Sequence, residues 1–222
     1  MSVEAVIFDL DGLMVDSEPL AKQAWRTLLA RHGHTLDQET INAMFGLRLA
    51  DSSLLVKERF GLPLPAPQIA AEEKRIFMAL LDSNLRPMPG LSDLLRAVDA
   101  RGLPRAVATS SGLDCALMAL RAVGVADGFA AIVTGDDVVR GKPAPDIYLA
   151  AAAELGRQAA SCLALEDSPI GVSAAKAAGM RCVAVPNELT AELDLRMADW
   201  VFPSLMAVTD QLDNLLLPSP AP

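Results

Sequence analysis

Aromatic residues are scarce in this chain: six Phe, two Trp and one Tyr, 4% of 222 residues. Hydrophobic residues still make up 52%, so a large core is available, and Ala, Leu, Val and Met must build it. Cysteine is sparse as well. Cys115, Cys162 and Cys182 form no C-x-x-C pair, which removes the usual zinc spacing, and an odd count does not make a disulfide framework. Reduced cytosolic thiols are expected. No apolar stretch approaches the ~18 residues of a membrane span, and no basic segment followed by an apolar one marks a signal peptide. Positive charge is also in deficit, with 19 Lys and Arg against 28 Asp and Glu, a formal net charge of −9. That balance excludes nucleic acid and anionic membrane as partners, since both need cations to neutralise phosphates. It says little against a small phosphorylated molecule, which one lysine or a helix N-terminus can hold. The reading is a cytoplasmic chain with no internal repeat.

What is present is a repeated alternation. Residues 3–8 (VEAVIF), 105–109, 130–134, 161–165 and 181–185 are short apolar runs, as expected of parallel strands covered on both faces. Ala/Leu-rich segments of helical spacing lie at about 113–123, 144–155 and 169–178, followed by Gly124, Gly156 and Gly179, residues favoured where helices end. This predicts an α/β fold with a doubly wound parallel sheet. One region breaks the alternation. From 17 to 83 only helical patterns occur, near 17–31, 37–44, 48–60 and 68–82, and Pro87-Met88-Pro89-Gly90 then marks a turn. The expected organisation is a discontinuous core, 1–16 and 84–222, with an all-helical cap domain at 17–83. The tail 217–222 (LPSPAP) is expected to be disordered.

Four segments carry chemistry. Asp9-Leu10-Asp11-Gly12 follows the first strand. A carboxylate there can attack phosphorus, and a second can protonate the leaving oxygen and deprotonate the incoming one. Thr109-Ser110-Ser111-Gly112 follows another strand, where hydroxyls and helix N-terminal amides suit a phosphate. Lys142, in Gly141-Lys142-Pro143, is a cation able to neutralise nucleophile and phosphoryl group. Glu166-Asp167-Ser168 ends a strand with two adjacent acids, which repel unless a cation such as Mg²⁺ joins them. Each segment alone also reads as an ordinary turn, cap or solvated charge. Together they all fall at strand C-termini, the edge where open α/β sheets bind ligands.

The order D-x-D-G, Thr/Ser after a strand, Lys-Pro and Glu-Asp resembles the haloacid dehalogenase (HAD) superfamily. The likeness is to its β-phosphoglucomutase-like and sugar-phosphate phosphatase subgroup. It rests on residues 5–20 (AVIFDLDGLMVDSEPL), 141–148 (GKPAPDIY) and 164–179 (ALEDSPIGVSAAKAAG). The resemblance implies a Rossmann-like core with a helical cap, and Mg²⁺ as cofactor. It implies Asp9 as nucleophile and metal ligand. Asp11 would be the acid/base, with its main-chain carbonyl on the metal. Thr109 and Ser110 would hold the phosphoryl group, Lys142 would balance charge, and Asp167 would be a metal carboxylate with Glu166 behind it.

Asp11 favours a phosphoester over a halide leaving group, since halide leaves without protonation. The resemblance places a histidine of the mutases at the position of Ala21, and His32 and His34 lie further on, in an expected exposed turn around Gly33. That departure favours a phosphatase over a β-phosphoglucomutase-type phosphotransferase. Arg48 and Glu18 are candidate substrate contacts, Lys74 and Arg75 weaker ones, and Trp25 is expected in the cap core. The substrate read is a small phosphorylated metabolite, a hexose phosphate for preference, with a monomer as default. A dinucleotide-binding module would need G-x-G-x-x-G after the first strand, where this chain has Asp9-Leu10-Asp11-Gly12-Leu13-Met14. A silent interaction domain would have lost Asp9, Lys142 or Asp167.

Overall fold

A computed structural model describes residues 2–218. The tail expected to be disordered lies, from 219 on, outside the described residues. Six strands form one parallel sheet: β1 (Ala5–Phe8), β2 (Arg105–Ala108), β3 (Ala131–Val133), β4 (Cys162–Glu166), β5 (Arg181–Ala184) and β6 (Trp200–Val201), in the order β3-β2-β1-β4-β5-β6. The first five fall on the apolar runs. The sixth has two residues, too few to leave an apolar run in the sequence.

Two connections leave the alternation of sheet and helix: β5 runs to β6 without a helix, and β1 runs to β2 through five. Between β1 and β2 the chain makes α1 (Glu18–Arg31), α2 (Gln38–Met44), α3 (Leu49–Phe60) and α4 (Ala66–Asn84), then α5 (Leu91–Asp99). Helices α6 (Leu113–Ala122), α7 (Asp146–Glu154), α8 (Pro169–Ala177) and α9 (Leu205–Leu216) follow. The apolar runs and spacings did not single out α5 or α9. Helix α7 starts two residues later than expected, with Pro145 at its N-cap. Helices α6, α7 and α8 are each followed by a left-handed glycine, Gly124, Gly156 and Gly179.

The strands alternate between two cores, as a period of two requires. Val6, Phe8, Val107, Leu163, Leu165 and Val183 face α5, α6 and α9. Ala5, Ile7, Ala106, Ala108, Cys162, Ala164, Cys182 and Ala184 face α7 and α8. The second face is mostly small residues, so two alanine-rich helices lie close against it with little aromatic filling. Each large side chain fully buried here is worth about 1.5–3 kcal/mol. All three cysteines are buried and unpaired.

Helices α1–α4 bury a core of their own, including Trp25, Leu28, Leu29, Ile41, Val56, Ile69, Phe77 and Leu81. The Asp37 side chain caps α2 by accepting from the Thr40 N–H at 2.7 Å. The unit leaves and rejoins the sheet side by side: the Asp16 N–H donates to the Arg86 carbonyl and the Met88 N–H to the Met14 carbonyl, both at 2.9 Å. This paired stalk starts one turn past Asp9, so the four helices stand over the C-terminal edge of the sheet. His32 and His34 are half-buried at the turn ending α1, not exposed. His34 packs at a tilt against Phe60, with ring centroids 5.4 Å apart. Among the described residues no helix is long and apolar enough to cross a membrane.

Candidate active site

The chain reverses its direction of winding between β1 and β4, which are neighbours in the sheet. At such a point the loops part and leave a crevice. The register pairs Phe8 with Leu165, and the Asp9 N–H donates to the Leu165 carbonyl at 3.0 Å. Asp9 and Glu166 are therefore set side by side by strand pairing alone. Lys142 comes in from the loop before α7 and donates to Asp9 Oδ1 at 2.7 Å and to Glu166 Oε1 at 2.5 Å. All three are buried. Burial pushes the Asp9 carboxyl up to about 8, opposed by Lys142 and reinforced by Glu166 and Asp11. Burial alone would lower the Lys142 ammonium; Asp9 and Glu166 outweigh it and hold it above its ordinary value. The lysine stays charged.

Glu166 is fully engaged. Oε1 also accepts from the Tyr148 hydroxyl at 2.7 Å, and Oε2 accepts from the Asp167 and Ser168 amides and the Ser168 hydroxyl at 3.1–3.3 Å. The start of α8 wraps this carboxylate so closely that a Cβ at Gly171 would collide with both its oxygens.

Asp11 is held by three hydroxyls. Ser17 donates to Oδ1 at 2.7 Å, and Thr109 and Ser111 donate to Oδ2 at 3.1 and 2.7 Å. Ser17 stands at the N-cap of α1, yet its hydroxyl turns to Asp11 instead of capping the helix. Gly12 adopts φ +80°, and a Cβ there would strike Asp167 and Asn187. Asn187 Nδ2 donates to Asp167 Oδ2 at 2.8 Å and to the Gly12 carbonyl at 3.2 Å.

A cavity of about 150 Å³ opens from Asp9, Asp11, Thr109, Ser110 and Asp167 toward α1–α4. Glu18 lines it, its carboxyl pushed up to about 8 by burial and by Asp11 and Asp9. Ser110 also donates to the Gly46 carbonyl at 2.8 Å, tying the sheet edge to the α2–α3 loop. Arg48 is not brought into this cavity. Its guanidinium holds Asp51 at 2.8 Å and donates to the carbonyls of Val138 and Val139 at 3.2 and 3.0 Å. Lys74 lines the cavity but pairs with Asp114 at 2.7 Å, and Arg75 is exposed outside it.

Residues 3–179 match the haloacid dehalogenase-like hydrolase family. The chain belongs to that family. It is 33% identical to the protein CbbY of Rhodobacter capsulatus over 95% of this chain and 97% of that one. It is 33% identical to the fructose-1-phosphate phosphatase YqaB of Escherichia coli over 81% of this chain and 95% of that one. The crystal structure of a β-phosphoglucomutase from Clostridium difficile superposes with a TM-score of 0.84 at 25% identity, covering 96% and 98% of the two chains. This HAD-like chain is thus a hydrolase of the phosphatase type.

In this HAD-like site Asp9, Glu166 and Asp167 each place a carboxylate oxygen within 4.8 Å of the others. Three carboxylates against one ammonium leave excess negative charge. Burial first, and then Glu166, Asp9 and Glu18, push the Asp167 carboxyl well above its ordinary range. Both Glu166 oxygens are taken, whereas among the described residues Asp9 Oδ2 and Asp167 Oδ1 accept no hydrogen bond and the Asp11 carbonyl accepts none from the backbone. An all-oxygen donor set of this kind fits a hard divalent cation. Glu166 belongs to the frame that holds Lys142, and Asp9, Asp167 and Asp11 hold the spare acceptors.

Sequence reading gave Ser17, Tyr148, Asn187 and Gly171 no part in the site's chemistry, and took Ser111 only as one hydroxyl of its segment. Ser111 lies inside the Thr-Ser-Ser-Gly run. Asn187 lies two residues past the apolar run 181–185, so the strand-end rule used for the other segments, applied to β5, would have found it.

Proposed function

We propose that the chain is a Mg²⁺-dependent phosphatase that hydrolyses a small phosphorylated metabolite, a sugar phosphate, through an aspartyl-phosphate on Asp9. The observation that supports this most is the Asp9–Lys142–Glu166 arrangement at the β1/β4 crevice, with Asp11 two residues on. Lys142 holds Asp9 in one rotamer and opposes the burial that raises its carboxyl, and a bound divalent cation would supply the remaining charge that keeps it ionised. Asp9 Oδ2 attacks phosphorus while the Asp11 carboxyl gives its proton to the departing alcohol oxygen. Asp11, now ionised, takes a proton from water as that water attacks the aspartyl-phosphate, which frees Asp9 and phosphate. Thr109 and Ser111 steady Asp11 with the one O–H each carries, and turning either hydroxyl to a phosphoryl oxygen would release that hold. Mg²⁺ held by the carboxylates of Asp9 and Asp167 and the carbonyl of Asp11 would neutralise phosphoryl charge. Residues 17–83 act as the cap, and Ser110 to Gly46 is its closing contact. Every group comes from one chain, so a monomer suffices.

Hydrolysis is favoured over phosphoryl transfer between sugar positions because Ala21 lines the cavity and no histidine does. The likeness to a β-phosphoglucomutase structure keeps the second reading in view. Phosphate release from a panel of sugar phosphates, with Mg²⁺ or EDTA, tests the choice. Release should need Mg²⁺ and fall at least roughly a thousandfold in Asp9→Asn. Undiminished release by Asp9→Asn would rule out the covalent route. Conversion of β-glucose 1-phosphate to glucose 6-phosphate without release would establish the mutase reading.

A further inference from the structure

Glu73 sits on α4, one turn before Phe77, on the face turned to the cavity. Residues four apart on a helix share a face, and both line the space above the catalytic carboxylates. The wall around them is apolar, formed by Trp25, Leu36, Ile41, Met44 and Phe45. Glu73 is only 4% exposed. Among the described residues its carboxyl makes no hydrogen bond and no ion pair, and adjacent Lys74 is committed to Asp114. Its two carboxyl oxygens open into the cavity rather than being sealed in the core, so a ligand that fills the cavity displaces their water and must supply a partner in its place. Burial alone pushes this carboxyl up to about 8. Near neutral pH it therefore offers an O–H donor and a carbonyl acceptor side by side, the complement of a hydroxyl, which also donates and accepts.

We propose that Glu73 is a specificity-determining residue that hydrogen-bonds a hydroxyl of the substrate's leaving group, so that the site takes phosphate esters of polyhydroxylated alcohols in preference to apolar ones. This rests on the phosphatase reading above and adds the side of the substrate that the sheet residues do not touch.

Kinetics of wild type, Glu73→Leu and Glu73→Gln on fructose 1-phosphate, glucitol 6-phosphate and p-nitrophenyl phosphate test this. Glu73→Leu should lower kcat/KM on the two polyol esters about tenfold or more, because the substrate hydroxyl is left unpaired against leucine. On p-nitrophenyl phosphate it should change by less than about threefold. Glu73→Gln keeps a donor and an acceptor and should stay near wild type on all three. Glu73→Leu replaces an unpaired buried polar group by an apolar one, so its melting temperature should equal or exceed that of wild type. An equal loss on all esters, no loss on any, or a glutamine variant as poor as the leucine variant overturns the assignment. The two readings fail separately: Mg²⁺-dependent release from p-nitrophenyl phosphate by wild type upholds the phosphatase reading whatever Glu73 does, and no release from any ester overturns both.

Discussion

Glu166 and Glu73 are both buried carboxyl groups, one at the end of β4 and one on α4, on opposite sides of the same crevice. The first accepts hydrogen bonds at both oxygens, from a lysine, a tyrosine, a serine and two backbone amides. The second has no partner among the described residues. The contrast separates two tasks. The sheet end is organised before any ligand arrives, so that charge developing at phosphorus meets fixed groups and nothing has to reorganise. The helical end leaves a polar group incomplete, and a ligand with the right hydroxyl is bound in preference because it completes it.

The largest effect should come from breaking the organised end. Lys142→Met leaves Asp9 and Glu166 buried without a cation. Phosphatase activity should fall by about 10²–10³ or more, and chemical unfolding should show a loss of about 3–5 kcal/mol. An active, stable Lys142→Met would mean that the sheet end is no more preorganised than the helical end. Gly171→Ala should have an intermediate effect. Its Cβ forces Glu166 to move, which should lower stability by about 1–3 kcal/mol and reduce activity by displacing Lys142. An unchanged unfolding midpoint would show that the wrap around Glu166 is loose. The smallest effect should sharpen the other side. Glu73 titrates near 4.5 in the unfolded chain and near 8 in the folded one. Between those values the folded state holds a proton that the unfolded state has released, so stability falls as pH rises through that window. Glu18 adds the same trend. Glu73→Leu should flatten the fall in melting temperature between about pH 5 and 8 by a few degrees. An identical slope would mean that Glu73 is solvated after all.

Most of the sheet end was legible because strand periodicity and strand-end chemistry are local signals. Asp9, Asp11, Thr109, Lys142, Glu166 and Asp167 each stand directly beside an apolar run or a proline turn. What escaped depends on approach in space. Gly171 looks like any helical glycine until the Glu166 side chain fills the place of its Cβ. Arg48 looked like a substrate contact from its turn, but Asp51 three residues on and the carbonyls after β3 claim it. Glu73 sits in Ala-Glu-Glu-Lys-Arg, a stretch that reads as a charged helix face, and only the packing of α4 against α1 shows which charge is turned inward. Strands β6 and helices α5 and α9 were missed for lack of length or of a distinctive neighbour.

The crevice draws its parts from far along the chain. Lys142 is 133 positions from Asp9, and Asn187, which braces Asp167, bonds a carbonyl 175 positions back. Asp9 is thus made well before Lys142 and the brace that set it in place. At about 5–20 residues per second, Asp9 exists for on the order of ten seconds or more before its setting can close around it. Until positions 142 and 187 have been added, the nascent carboxylate has neither the cation nor the brace that organises the crevice.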